Sequence, residues 1–149
     1  MSAPVKVVSL GIGAALAALS DLAVTRFAAP RRVPLFAVGL VVAAAIYPLF
    51  RSSRPRSAPV VRELAALLAF GALGTAAVRG RTSNAARVVA AGWAAHALFD
   101  LVHDGGQHSR IPDWYPAFCA GYDLGVAAIL LRPTSTATPG LNSASPSSS

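Results

Sequence analysis

The stretch from Val33 to Phe50, VPLFAVGLVVAAAIYPLF, runs for 18 residues without a charged side chain. A helix rises about 1.5 Å per residue, so a run of this kind comes close to the roughly 20 residues that cross a bilayer's hydrocarbon layer. A soluble domain has no use for a helix that is apolar on every face. Working outward, four further segments read the same way: Val5 to Val24, Pro59 to Val78, Ala85 to Val102 and Tyr115 to Leu131. The breaks between them carry Arg, Pro, Ser and Gly, as in the Arg-Phe-Ala-Ala-Pro-Arg-Arg that ends at Arg32. Short breaks make successive helices antiparallel neighbours. The expected fold is all-α, an integral membrane bundle of about five transmembrane helices in the cell membrane.

Composition agrees. The chain has 149 residues, of which 54% are hydrophobic and 13% charged, with a mean hydropathy of +0.55, too apolar for an ordinary soluble domain of this size. Its net charge of +7 comes from 13 basic and six acidic residues, with the basic ones placed mostly between the apolar runs. That placement suits membrane lipids with anionic headgroups. Nucleic acid is excluded as a partner, because it calls for a continuous basic face with stacking aromatics, and none is present.

The transmembrane domain is expected over residues 1–132. Residues 133–149 are rich in Ser, Thr and Pro and are expected to be disordered. Lys6 followed by an apolar run and small residues near Ala28 has the outline of a secretory signal, but Asp21 and Arg26 spoil its cleavage region, which favours a retained helix. Six basic residues on the face of the N-terminus against seven on the other leave orientation open. The single Cys119 excludes an internal disulfide and any multi-cysteine metal framework.

Ionisable groups are unevenly spread. His96, His103, His108, Asp100, Asp104, Asp113 and Asp123 all fall in the last two segments and the loop between them. Such groups are costly at membrane depth and face a bundle interior or watery cavity, so concentrating them points to function. On the fourth helix His96, Asp100 and His103 follow i, i+4, i+7 spacing and share one face, bordered by Trp93. On the fifth, Cys119 and Asp123 stand one turn apart. Counting the rise from one membrane surface puts Asp123 level with His96, and Cys119 and Glu63 near Asp100.

Imidazole and carboxylate ligands suit one divalent metal, zinc, iron or manganese, held by about three protein groups with a position left open. His96 and His103 are about 10.5 Å apart along the axis, so one of them with Asp100, plus Asp123 or Glu63, makes the more plausible shell. Without metal, His96 or His103 oriented by Asp100 suits acid-base work on a lipid or isoprenoid-like substrate. The bland counterpart is interhelical hydrogen bonding that merely glues the bundle. Glu63, next to Arg62 at a helix N-terminus, reads equally well as a headgroup-level carboxylate. Asp21 is expected to pair with a nearby arginine such as Arg26. Cys119 reads as a small buried hydrophobe, and Gly121 and Gly125 as a close-approach pair within the bundle or between copies.

A proton or cation path through the same polar layer is the transport alternative. Five short helices are few for alternating access, so that reading calls for a homo-oligomer. A non-catalytic membrane partner is the third. Bis-histidine haem is disfavoured, since all three histidines belong to one helix and its following loop.

The run from Gly92 to His103, GWAAHALFDLVH, followed by Ile111-Pro112, Pro116, Cys119 and Asp123, resembles a family of small bacterial multi-pass membrane proteins of unknown function. That family carries G-W-x-x-H-x-x-x-D-x-x-H-H on one helix and C-x-x-C-D on the next, and Glu63-Leu64-Ala65 resembles its third helix. Asp104 replaces its second consecutive histidine and Tyr122 its second cysteine, which argues against thiol redox chemistry and an all-histidine metal shell. The resemblance implies a membrane fold with a His/Asp site and supplies no reaction.

Overall fold

The computed structural model describes residues 2–50, 58–80, 84–102 and 110–132. The chain is all-α. Its helices are α1 (Ala3–Ala28), α2 (Arg32–Leu49), α3 (Ala58–Gly80), α4 (Ala85–Val102) and α5 (Tyr115–Leu131), with one 3₁₀ turn, Ala29–Arg31, between α1 and α2. Residues 133–149 and the expectation of disorder there lie outside the described residues.

Three helical stretches are long and apolar enough to cross a membrane: Ala3–Leu49, Ala58–Arg79 and Ala85–Val102. This tally differs from the five spans expected. Two local features account for the difference. The 3₁₀ turn joins α1 and α2 with no coil between them, so they count as one stretch of 47 residues, and α5 has 17 residues, about 25 Å of helix. A straight 47-residue helix would reach about 70 Å. The stretch is bent instead: Ala28 leaves helical geometry at φ −149°, Pro30 follows, and Asp21 on α1 meets Arg32 on α2 at 2.6 Å. Arg32 also donates to the Ile129 carbonyl near the C-terminus of α5, at 3.3 Å. A cation there answers the negative end of the helix dipole. The expected partner of Asp21, Arg26, instead lies over the ring of its neighbour Phe27.

Contacts along the helices fix their directions. Gly13 lies against Phe118 and Tyr122, and Ala17 against Gly125, so α1 and α5 are parallel. Leu40 lies against Gly92 and Tyr47 against Phe99, so α2 and α4 are parallel too. His96 of α4 meets Asp123 of α5 across an antiparallel pair. It follows that α1 and α2 run in opposite directions.

Small residues set the closest approaches. A Cβ at Gly121 would overlap the Leu10 carbonyl, and one at Gly13 the Phe118 carbonyl. Gly125 faces the Cβ of Ala17 and the backbone of Ala14. The Gly121-x-x-x-Gly125 pair is thus spent inside the molecule, bringing α1 onto α5. The core between the other helices is built by Leu40, Phe36, Phe70, Val89, Trp93 and Val126. Trp93 anchors it through a buried hydrogen bond from Nε1 to the Phe36 carbonyl at 3.0 Å, a pairing a buried indole N–H requires. The outer faces remain apolar: Phe27, Leu68 and Val7 are 84%, 74% and 71% exposed.

Gly13→Ala and Gly121→Ala are each expected to cost about 1–3 kcal/mol or more, because rigid backbone sits where the methyl must go. Gly11→Ala, with open space around it, is expected to stay within about 0.5 kcal/mol. Unfolding in detergent followed by circular dichroism checks the contrast, and equal effects at Gly11 and Gly121 would contradict the close approach.

Candidate metal centre

Helical periodicity puts His96 and Asp100 one turn apart on α4, facing α5, where Asp123 points back at the same level. The three are each 1% exposed. His96 Nδ1 stands 2.7 Å from Asp123 Oδ2 and 3.5 Å from Asp100 Oδ2. One ligand atom from each residue fits within a set whose members all lie within 4.8 Å of one another.

These separations suit one small cation. Two ligand atoms bound at about 2.1 Å to a tetrahedral ion stand about 3.4 Å apart. The two His96 separations bracket that value, so modest side-chain rotation would admit an ion. The alternative arrangement uses a single proton on Nδ1, donated to Asp123.

The surroundings are dry. Phe70 of α3 meets the His96 ring edge-on at 5.1 Å, and Phe99 lies against it at 6.1 Å. Tyr122 meets Trp93 edge-on at 5.5 Å, one turn along α4. His96 Nε2 is buried without a hydrogen-bond partner among the described residues, and the buried Asp100 carboxylate meets His96 Nδ1 at 3.5 Å and interacts with the Tyr47 hydroxyl. An orphaned buried polar atom costs about 1–3 kcal/mol, more when charged. Unused hydrogen-bonding capacity in this layer is what a bound ion would take up. The wall on the Asp100 side is polar: Tyr47 of α2 and Cys119 of α5 interact electrostatically with Asp100, and Tyr115 reaches Cys119 one turn below it. Cys119 itself is free and buried.

Among the described residues, the other sequence candidates do not belong to this cluster. His103 lies outside the described residues, as do Asp104 and His108. Glu63 is buried at 1% exposure and does not belong to the cluster. It precedes Phe70 by seven residues on α3, so it lies about 10.5 Å along the axis from the level of His96. Asp113 is exposed at the start of the turn that leads into α5. Tyr47, Phe70 and Tyr115 line or adjoin the centre and went unread in the sequence. Their residue types carry no metal or acid-base signature, and only the pairing of α2 and α3 with α4 reveals them.

No protein-family model, curated protein or solved structure matches this chain.

The contact between α4 and α5 is testable as a coupling. In a double-mutant cycle with His96→Leu and Asp123→Leu, the unfolding free energies are expected to be non-additive by about 0.5–3 kcal/mol. Strict additivity would mean that the two side chains do not act on one another.

Proposed function

We propose that this chain is an integral membrane protein with five membrane-crossing helices, and that His96, Asp100 and Asp123 hold one divalent metal ion at membrane depth. In this reading the centre serves an enzyme acting on a lipid or isoprenoid-like substrate. The observation that carries it is the convergence of two buried carboxylates and a buried imidazole, with ligand atoms within 4.8 Å of one another.

Charge balance favours the metal. Two carboxylates in a dry layer carry two negative charges, and no arginine or lysine pairs with either among the described residues. Unpaired charge in a low-dielectric interior is heavily penalised. A divalent ion cancels both charges and leaves the imidazole neutral. With Nδ1 engaged, the remaining ring proton resides on Nε2, where it is available to the substrate. The ion would supply Lewis-acid polarisation of a substrate oxygen or lower the pKa of a bound water. Nitrogen and carboxylate oxygen ligands suit zinc, iron or manganese.

The membrane reading rests on the apolar outer faces and on helix length. Trp114 and Tyr115 at the start of α5 suit the headgroup level, where aromatic residues with a polar tip concentrate. The motif resemblance to small bacterial multi-pass membrane proteins agrees with it. The sealing of His96 by Phe70 and Phe99 speaks for a closed reaction chamber rather than a continuous proton path.

Protein purified without chelator is expected to contain divalent metal at close to one equivalent. His96→Ala and Asp100→Asn are expected to lose it, and acidification to weaken it, because metal and protons compete for the same imidazole and carboxylates. A metal-free wild type that also fails to take up added zinc would remove the metal reading. For topology, five crossings put the two termini on opposite sides of the membrane, whereas four would put them on the same side. Reporters fused at each end distinguish the two outcomes.

A further inference from the structure

A cleft of about 300 Å³ opens at the end of the bundle nearest Asp100, lined by Ile46, Phe50, Arg110, Ile111, Pro112 and Tyr115. It lies where the C-terminal end of α2 and the N-terminal end of α5 draw apart. These two helices do not form one of the molecule's packed pairs. The Arg110 N–H donates to the Phe50 carbonyl at 3.2 Å, which fixes the chain leading into α5 against the end of α2 and so shapes the cleft.

Five of its six lining residues are apolar or aromatic, and the sixth, Arg110, is exposed at the rim. No ion pair with a carboxylate engages Arg110 among the described residues. An apolar trough topped by one guanidinium is complementary to a molecule with a hydrocarbon body and an anionic head. Size narrows the choice. A cleft of about 300 Å³ matches the first part of one hydrocarbon chain.

The cleft also leads to the candidate metal centre. Tyr115 lines it and interacts with Cys119 one turn further along α5, and Cys119 in turn faces Asp100. One helical turn, about 5.4 Å, separates the cleft wall from the level of the Asp100 carboxylate.

We propose that this cleft is the substrate doorway, and that it admits a single-chain amphiphile bearing a phosphate head, with the phosphate held by Arg110 and the first part of the chain lying between Ile46, Phe50 and Tyr115. The inference deepens the enzyme reading above by naming its substrate class, and it rests on that reading for the claim that the bound molecule reacts. Binding itself does not require the metal. A phosphate monoester of a long alcohol, saturated or isoprenoid, meets the description; a two-chain phospholipid does not.

The test uses the full-length protein in a neutral detergent, with dodecyl phosphate as the probe and dodecyltrimethylammonium and inorganic phosphate as comparisons. Binding is read by titration calorimetry on chelator-treated protein and again after zinc loading. Dodecyl phosphate is expected to bind in both states, with either comparison on the order of tenfold weaker or worse. Arg110→Gln is expected to weaken the probe by a similar factor, and Ile46→Trp, which fills the trough, to abolish binding. Gel filtration and the unliganded melting temperature establish that each variant is folded. Equal binding of the cationic amphiphile, or wild-type affinity in Arg110→Gln and Ile46→Trp together, would overturn the doorway. Loss of zinc uptake with probe binding intact would overturn the metal centre instead, so the two failures are distinguishable.

Discussion

Two carboxylates and one imidazole share a layer that water does not reach, and the rest of the molecule is arranged around that constraint. Asp100 and Asp123 approach the same nitrogen of His96 from two helices, at 3.5 and 2.7 Å. Like charges that close cannot both stay ionised without compensation. Among the described residues no lysine or arginine pairs with either carboxylate, so charge compensation comes from protons or from a cation. This makes the layer a poor choice for simple interhelical glue, which works better with neutral amides and hydroxyls.

Placing those groups at one level depends on features with no chemistry of their own. Gly13, Gly121 and Gly125 let α1 close on α5. The clasp of Asp21, Arg32 and the Ile129 carbonyl ties the turn after α1 to the far end of α5. Trp93, held by the Phe36 carbonyl, sets α2 against α4 one turn from His96. The side-chain cluster is therefore held by rigid elements, not by loops, which favours a fixed ligand geometry.

Periodicity and hydropathy in the sequence were enough for the helices. The segments expected over 85–102 and 115–131 are α4 and α5 of the structure, because both are mostly apolar runs of helix-spanning length set off by polar breaks. The number of separate apolar stretches was less legible: a 3₁₀ turn rather than a loop joins α1 to α2, and polarity alone does not register a bend inside a continuous apolar stretch. Within the site, the i, i+4 relation of His96 and Asp100 needs only helix geometry, and the level of Asp123 follows from counting rise along an antiparallel pair. The same counting put Glu63 near the level of Asp100; with Phe70 of α3 at the level of His96, Glu63 lies about 4.5 Å beyond Asp100 along the axis, an offset that nothing local in the sequence sets. Asp21 was assigned to Arg26 on sequence proximity, whereas the turn at Ala29–Arg31 swings Arg32 into reach. The aromatic walls and the cleft at Arg110 arise from pairings between distant segments, which a single sequence does not display.

In the proposed reading, the cleft at Arg110 serves the buried layer, with Tyr115 and Cys119 lying between the two along α5. Its central element is the ion that the layer is proposed to hold. X-ray absorption on the zinc-loaded protein tests that claim most directly. The account predicts nitrogen and oxygen scatterers at about 2.0–2.2 Å with a single imidazole contribution, lost in Asp123→Asn. A sulfur shell near 2.3 Å, or a spectrum unchanged by substitution of His96, Asp100 and Asp123, would contradict it.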